Sequence, residues 1–156
     1  MTKVLFTDLD GTLIKTKSGK MFPLHSEDWV FIPETLKALQ YYITKDYKIV
    51  IITNQGGIES GFINEQVFIN KIEKICTTLE KILKLKKNTI SYRYCKYIES
   101  YERKPNPGMA FDVLIDEELS LEDSIMFGNT ESDKGFAINA GIKDFYTIEE
   151  ICSNNW

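Results

Sequence analysis

The chain is poor in the side chains that hold soft metals or activate a serine. Its 156 residues include one histidine, His25, so no multi-histidine zinc site can form and a Ser-His-Asp triad would have only that residue to draw on. The three cysteines, Cys76, Cys95 and Cys152, are odd in number and far apart, with no Cys-x-x-Cys or Cys-x-His pair. Neither a disulfide framework nor structural zinc is expected, and a reducing compartment suits them. There are two arginines, Arg93 and Arg103, and the net charge is −4, which argues against a large nucleic-acid footprint. No apolar run approaches the roughly 20 residues of a membrane span. The opening Met1-Thr2-Lys3-Val4 leads straight into an apolar strand, so no signal peptide is expected. What remains is chemistry run on carboxylates, lysine, hydroxyls and a hard cation.

What is present reads as an ordinary globule, 43% apolar and 27% charged, and residues 1–156 are expected to form a single domain. Val4 to Thr7 is a short apolar run that ends in Asp8-Leu9-Asp10-Gly11-Thr12, two aspartates spaced i, i+2 before a glycine turn. A polar stretch follows, Leu13 to Pro23, in which Ser18-Gly19 could tip a small hairpin. Its lysines either meet an anionic substrate or coat a solvated flap. Pro33 opens a predicted helix through Lys45, with Leu36, Leu39 and Ile43 as its buried stripe. Tyr47 to Thr53 is a nearly continuous β-branched run of the buried parallel type, closed by Asn54-Gln55-Gly56-Gly57.

The spacing then predicts a helix over Asn64 to Leu85, buried through Phe68, Ile72, Ile75, Leu79 and Ile82. Thr89 to Cys95 reads as a strand, and Asn106 as an N-cap with Pro107 at the first position of a helix to Asp116. Ser124 to Phe127 is a further strand, broken at Gly128-Asn129. Thr130 opens a helix that Gly141 ends, and Ile142 to Tyr146 is a last strand before a short terminal helix. Strands alternating with helices predict an α/β fold, a three-layer, Rossmann-like parallel sheet with helices on both faces. Right-handed crossovers then put every strand's carboxyl end on one rim. Asp8, Thr53, the Arg103–Lys104 loop and the Asn129–Asp133 loop should converge there.

Those four stretches resemble, in order, the four motifs of the haloacid dehalogenase superfamily in its phosphatase form. The resemblance implies a nucleophile at Asp8, a general acid/base at Asp10, phosphate contacts from Thr53 and Lys104, and Mg²⁺ held by Asp8, Asp10, Asn129 and Asp133. The chemistry is coherent on its own terms. Nucleophile and phosphomonoester are both anionic, so a cation and a lysine must hold them together. Asp10 can protonate the leaving alkoxide and then take a proton from water.

Thr53-Asn54-Gln55-Gly56-Gly57-Ile58 and Arg103-Lys104-Pro105-Asn106-Pro107-Gly108-Met109 are similar to the branch that includes histidinol-phosphate, heptose-bisphosphate and polynucleotide 3′-phosphatases. Asn54, Gln55 and Arg103 are accordingly expected at the substrate. Arg103 has pairing with Glu102 as its alternative. Ser18-Gly19-Lys20, Phe22-Pro23 and Asp28-Trp29 look like the phosphatase domain of polynucleotide kinase 3′-phosphatase. Trp29 either stacks on a base or packs the flap. The sugar-phosphate relatives generally carry a Cys/His zinc loop before the third motif, where this chain has only Cys95, and the short loop implies no large cap.

The expected substrate is therefore a phosphomonoester, the 3′-phosphate end of DNA or RNA. A small-molecule phosphomonoester and a silent binding module are the alternatives. No P-loop is present, so phosphorylation of 5′ ends is not expected. The fourth motif departs from its usual Gly-Asp by having Gly128-Asn129, one negative charge fewer. Asp133 also fits a Thr-x-x-Asp capping box begun by Thr130. A monomer in the cytoplasm, or the nucleus of a eukaryote, completes the expectation, with no membrane association and no secretion.

Overall fold

The computed structural model describes residues 1–156. In chain order the elements are β1 (Thr2–Thr7), β2 (Ile14–Lys15), β3 (Val30–Phe31), α1 (Pro33–Ile43), β4 (Lys48–Asn54), α2 (Glu65–Ile82), β5 (Ser91–Cys95), α3 (Gly108–Asp116), β6 (Leu119–Gly128), α4 (Glu131–Ala140), β7 (Asp144–Thr147) and α5 (Ile148–Ser153). Five strands form one sheet in the order β5-β4-β1-β6-β7, every pair parallel. The apolar strands are buried on both sides because side chains alternate across the pleat. Leu5, Ile49, Ile51, Ile125 and Phe127 face a core built with α1, α2 and α5 residues such as Leu39, Ile72, Leu79 and Ile151. Val4, Phe6, Val50, Ile52 and Met126 face the opposite core, closed by Met109, Ala110 and Val113 of α3 and by Phe136 and Ala137 of α4. Each large side chain so buried contributes about 1.5–3 kcal/mol. The expected three layers are present.

The order reverses beside β1. The chain moves from β1 to β4 and β5, then returns to β1's other side with β6. Loops leaving β1 and β6 therefore part to opposite faces and leave a crevice at the carboxyl rim, where open α/β sheets take their ligands.

Several boundaries differ from the sequence reading. Strand β6 begins at Leu119, not Ser124, and pairs Thr2 with Leu119 before the register slips between Lys3 and Leu5. The slip absorbs extra residues around Asp123, whose backbone is left-handed at φ 54°, so no simple alternation marks this half of the strand. Helix α2 stops at Ile82, which is 46% exposed, whereas Leu83, 5% exposed, completes the buried stripe. Asn106 is not an N-cap. Pro107 occupies that position, and the Asn106 amide donates instead to the Ser100 carbonyl at 2.8 Å.

The flap is wider than a tight hairpin at Ser18-Gly19. Strands β2 and β3 pair antiparallel, and residues 16–29 form the loop between them. Asp28 organises that loop by accepting hydrogen bonds from the Ser18 amide (2.7 Å), the Ser18 hydroxyl (2.6 Å) and the Leu24 amide (2.9 Å). Trp29 packs edge-on against Phe31 with ring centroids 5.2 Å apart, which favours the packing reading over base stacking. No helix is long and apolar enough to cross a membrane.

Candidate active site

Asp8 follows the last residue of β1, and its amide bonds to the Phe127 carbonyl of β6 at 2.9 Å, on the crevice itself. The residue is 8% exposed. Burial pushes its carboxyl up to about 6, against the opposing pull of Lys104. Lys104 arrives from the loop after β5 and is 3% exposed. Its ammonium donates to Asp8 Oδ1 (2.8 Å), Asp133 Oδ1 (2.6 Å) and the Ile52 carbonyl (2.9 Å), which accounts for all three of its hydrogens. Burial alone would favour the neutral amine, but Asp8 and Asp133 outweigh it and hold Lys104 above its ordinary value.

Asp133 is 1% exposed and spends both oxygens. Oδ1 takes Lys104, and Oδ2 accepts the backbone amides of Asn129 (3.0 Å) and Thr130 (3.2 Å). The capping box at Thr130 is complete. Gly128 permits this approach, because a Cβ there would stand 2.5 Å from the Asp133 Cβ.

Thr53, also buried, lies one residue before the end of β4, and its hydroxyl accepts from Gln55 Nε2 at 3.0 Å. The hydroxyl's own hydrogen has only a 3.5 Å contact with the Asn54 carbonyl, so it remains available. Gln55 Nε2 also donates to Asp10 Oδ2 at 3.0 Å and so tethers the exposed second aspartate. Asn54 spends its amide on the Lys104 backbone, donating to the carbonyl (3.0 Å) and accepting from the N–H (2.9 Å). Asn54 and the Gln55 Nε2, expected at the substrate, are thus engaged within the protein, whereas Gln55 Oε1 makes no hydrogen bond. Arg103 makes no ion pair with Glu102. Its Nη1 donates to the Tyr97 carbonyl at 3.4 Å and lies over Gly56 of the loop after β4.

The structure thus brings together Asp8, Lys104, Asp133 and Asn129, with Thr53, Gln55 and Asp10 in a connected second group. The four-residue metal set expected from the sequence is not closed. Asp10 is bonded to Gln55, Asp133 is committed as described, and no three acidic, histidine or cysteine side chains form a metal-binding group. Asp8 Oδ2 is left beside the Asn129 amide, whose inward atom stands 3.1 Å from Asp8 Oδ2 and 3.3 Å from Asp133 Oδ2. With its NH₂ inward, Asn129 donates to both carboxylates. With its oxygen inward, three acceptors face one another and require a cation between them. Oxygens around one Mg²⁺ stand about 3 Å apart, and this ion commonly takes one or two carboxylates with water and phosphate oxygens completing its shell. The donors fit such an ion. Gly11 makes room for Asn129, with φ 80° and a hypothetical Cβ only 2.4 Å from its Nδ2.

Contacts that brace the site from afar carry no sequence signal. Asn139 of α4 donates to the Pro105 carbonyl at 2.9 Å across 34 residues, and Asn54 reaches Lys104 across 50. Phe22 on the flap, Phe62 after β4, and Tyr97 and Tyr101 after β5 are exposed.

A parallel three-layer sheet with a carboxylate–lysine–carboxylate cluster at its carboxyl rim defines the class, a phosphatase of the haloacid dehalogenase type. A profile described as polynucleotide kinase 3 phosphatase matches residues 3–132, and the chain belongs to that family. It is 30% identical over 151 residues to D-glycero-alpha-D-manno-heptose-1,7-bisphosphate 7-phosphatase of Campylobacter jejuni, covering 96% of this chain and 84% of that protein. It is 32% identical over 160 residues to the bifunctional polynucleotide phosphatase/kinase of Schizosaccharomyces pombe, covering 96% of this chain and 37% of that one. Two solved structures share the fold. A HAD-like phosphatase of Mesorhizobium loti has a TM-score of 0.78 at 22% identity, covering 94% of this chain and 72% of that one. The D,D-heptose 1,7-bisphosphate phosphatase of B. bronchiseptica, complexed with magnesium and phosphate, has a TM-score of 0.74 at 22% identity, covering 91% and 78%.

Proposed function

We propose that the protein is a Mg²⁺-dependent phosphomonoesterase that works through an aspartyl-phosphate on Asp8, with the 3′-phosphate end of a polynucleotide as its substrate. The observation that carries the chemistry is the contact between the Lys104 ammonium and the Asp8 carboxylate at 2.8 Å in a nearly closed floor. Lys104 keeps Asp8 charged and aimed, and places positive charge beside the transferring group. Thr53 offers its free hydroxyl hydrogen to a phosphate oxygen.

Asp8 forms a bond to phosphorus as the bond to the leaving oxygen breaks, and Asp10 supplies the proton that oxygen needs. Asp10 then takes a proton from the water that attacks phosphorus, which releases orthophosphate and restores Asp8. Proton transfer of this kind is worth roughly 10²–10⁴-fold. Mg²⁺ on Asp8 and Asn129 would supply the charge that lets one anion approach another. Gln55 holds Asp10, and Asp133 holds Lys104, so both act through their neighbours.

The polynucleotide assignment is supported by the family match and by exposed aromatic rings. The loop before Lys104 is closed by its own bonds, Arg103 to Tyr97 and Asn106 to Ser100, and aromatic rings on the flap and on the loops after β4 and β5 are exposed. Such rings suit unpaired bases. A second reading, a heptose-bisphosphate substrate, is favoured by the likeness to the Campylobacter jejuni enzyme over most of both chains. A 3′-phosphorylated oligonucleotide, a heptose bisphosphate and histidinol phosphate, compared by kcat/KM, separate the two. We expect the oligonucleotide to lead by at least about tenfold, a difference of about 1.4 kcal/mol. A lead for the sugar phosphate would establish the second reading.

A further inference from the structure

The last residue of β4 carries a side chain that neither the sheet nor the substrate pocket requires. Asn54 pairs with the sheet through its backbone, in register with Cys95 of β5. Its side chain turns to the loop after β5 and grips both polar atoms of a single residue, the N–H (2.9 Å) and the carbonyl (3.0 Å) of Lys104. An amide is the one uncharged side-chain group with a donor and an acceptor so placed, and the pair reproduces the two-bond pattern of a strand ladder. The loop is otherwise held near this point by Asn139 on the Pro105 carbonyl. From the gripped backbone the Lys104 side chain runs inward to its three acceptors, one of them the carbonyl of Ile52, two residues before Asn54 on the same strand. Strand β4 therefore fixes Lys104 at both ends, by side chain at the backbone and by backbone at the ammonium.

We infer that Asn54 is a positioning residue: its amide sets where the Lys104 ammonium stands relative to Asp8, and it does not touch substrate. The inference rests on the role proposed above for Lys104. A displacement of about 1 Å in a catalytic group can cost about 10²-fold in rate. Asn54→Asp tests the same point without loss of volume, because it keeps the acceptor for the N–H but sets a carboxylate oxygen against the Lys104 carbonyl.

Two measurements decide it. Acetylation of individual lysines, followed by mass spectrometry with exposed Lys20 as internal reference, should find Lys104 protected in the wild type. In Asn54→Ala and Asn54→Asp it should react at least about tenfold faster. With p-nitrophenyl phosphate and Mg²⁺, either variant should lose about 10²-fold in kcat/KM, and Asn54→Ala should cost nothing further in a Lys104→Met background. If Lys104 stays as protected in both variants as in the wild type, or if the loss recurs in full without Lys104, the inference is wrong. If the wild type hydrolyses no phosphomonoester, the proposed function fails instead, and the acetylation result still decides the position of Lys104.

Discussion

The floor of the site and its rim are built on different physics. On the floor, Asp8 follows β1, Thr53 stands one residue before the end of β4, Lys104 lies in the loop after β5 and Asp133 in the first turn of α4, and all four are less than 9% exposed. Their charges are paired at 2.6 and 2.8 Å, and every hydrogen of the ammonium is used. On the rim, Asp10 and Asn129 are exposed, the Asp10 side chain is tethered by Gln55 alone, and most of the flap is exposed around the bonds that Asp28 gathers. The floor cannot change one member without stranding another, since a buried charge without its partner costs several kcal/mol. The rim can vary, and it does: Asn129 stands where the superfamily pattern has an acid. Rigidity is concentrated where a phosphorus atom would be handled, and tolerance where a substrate would be chosen.

The largest effect should come from breaking the floor. Lys104→Met leaves Asp8 and Asp133 buried and unpaired, and should lower unfolding free energy by about 3–5 kcal/mol, read from urea midpoints at constant m. A loss below about 1 kcal/mol would mean that the floor is wetter than described. Next, Gln55→Leu frees Asp10 without disturbing the ammonium. It should cost about 10–100-fold in kcat, less than the full value of acid/base catalysis, with the urea midpoint shifting far less than in Lys104→Met.

At the rim, Asn129→Asp adds a carboxylate facing Asp8 and Asp133. The metal-free protein should melt lower than wild type, and Mg²⁺ should restore it, with the metal's Kd tightened about tenfold in calorimetry. The smallest effect belongs to the flap. The Ser18 hydroxyl, and after it the Leu24 amide, hold the Asp28 carboxyl down at about 2, against an unfolded value near 4. Its bonds therefore stabilise the flap fully above about pH 4, and that contribution is lost as pH falls from about 4 through about 2. Trp29 fluorescence in a Trp156→Phe background should report this transition, and Asp28→Asn should abolish it.

The same division governs what was legible in the amino-acid sequence. The floor was legible because Asp8 and Thr53 sit at strand ends that hydrophobic runs announce, because Lys104 and Asp133 follow in the loop after β5 and the first turn of α4, and because parallel topology sends all those strand ends to one rim. Val4 to Thr7 and Ile49 to Thr53 could hardly be anything but buried strands. The capping role of Asp133 followed from its spacing to Thr130. What escaped were pairings set by three-dimensional approach alone. Asn54 and Gln55 look like substrate contacts in a motif, and nothing in the motif shows that their amides also bind Lys104 and Asp10, residues 50 and 45 positions away. The first half of β6 was hidden by a left-handed residue that interrupts its pattern, and Ile82 was misplaced because Leu83 falls closer to the helix's buried stripe.

The proposed reaction passes through a covalent phosphate at residue 8. The protein should be mixed with p-nitrophenyl phosphate and Mg²⁺, quenched within one turnover and reduced with borohydride, which converts an acyl phosphate to an alcohol. Peptide mapping should then find homoserine at position 8, absent from Asp8→Asn and from enzyme stripped of metal. Turnover without modification at that position, or with the label on another carboxylate, would contradict the account.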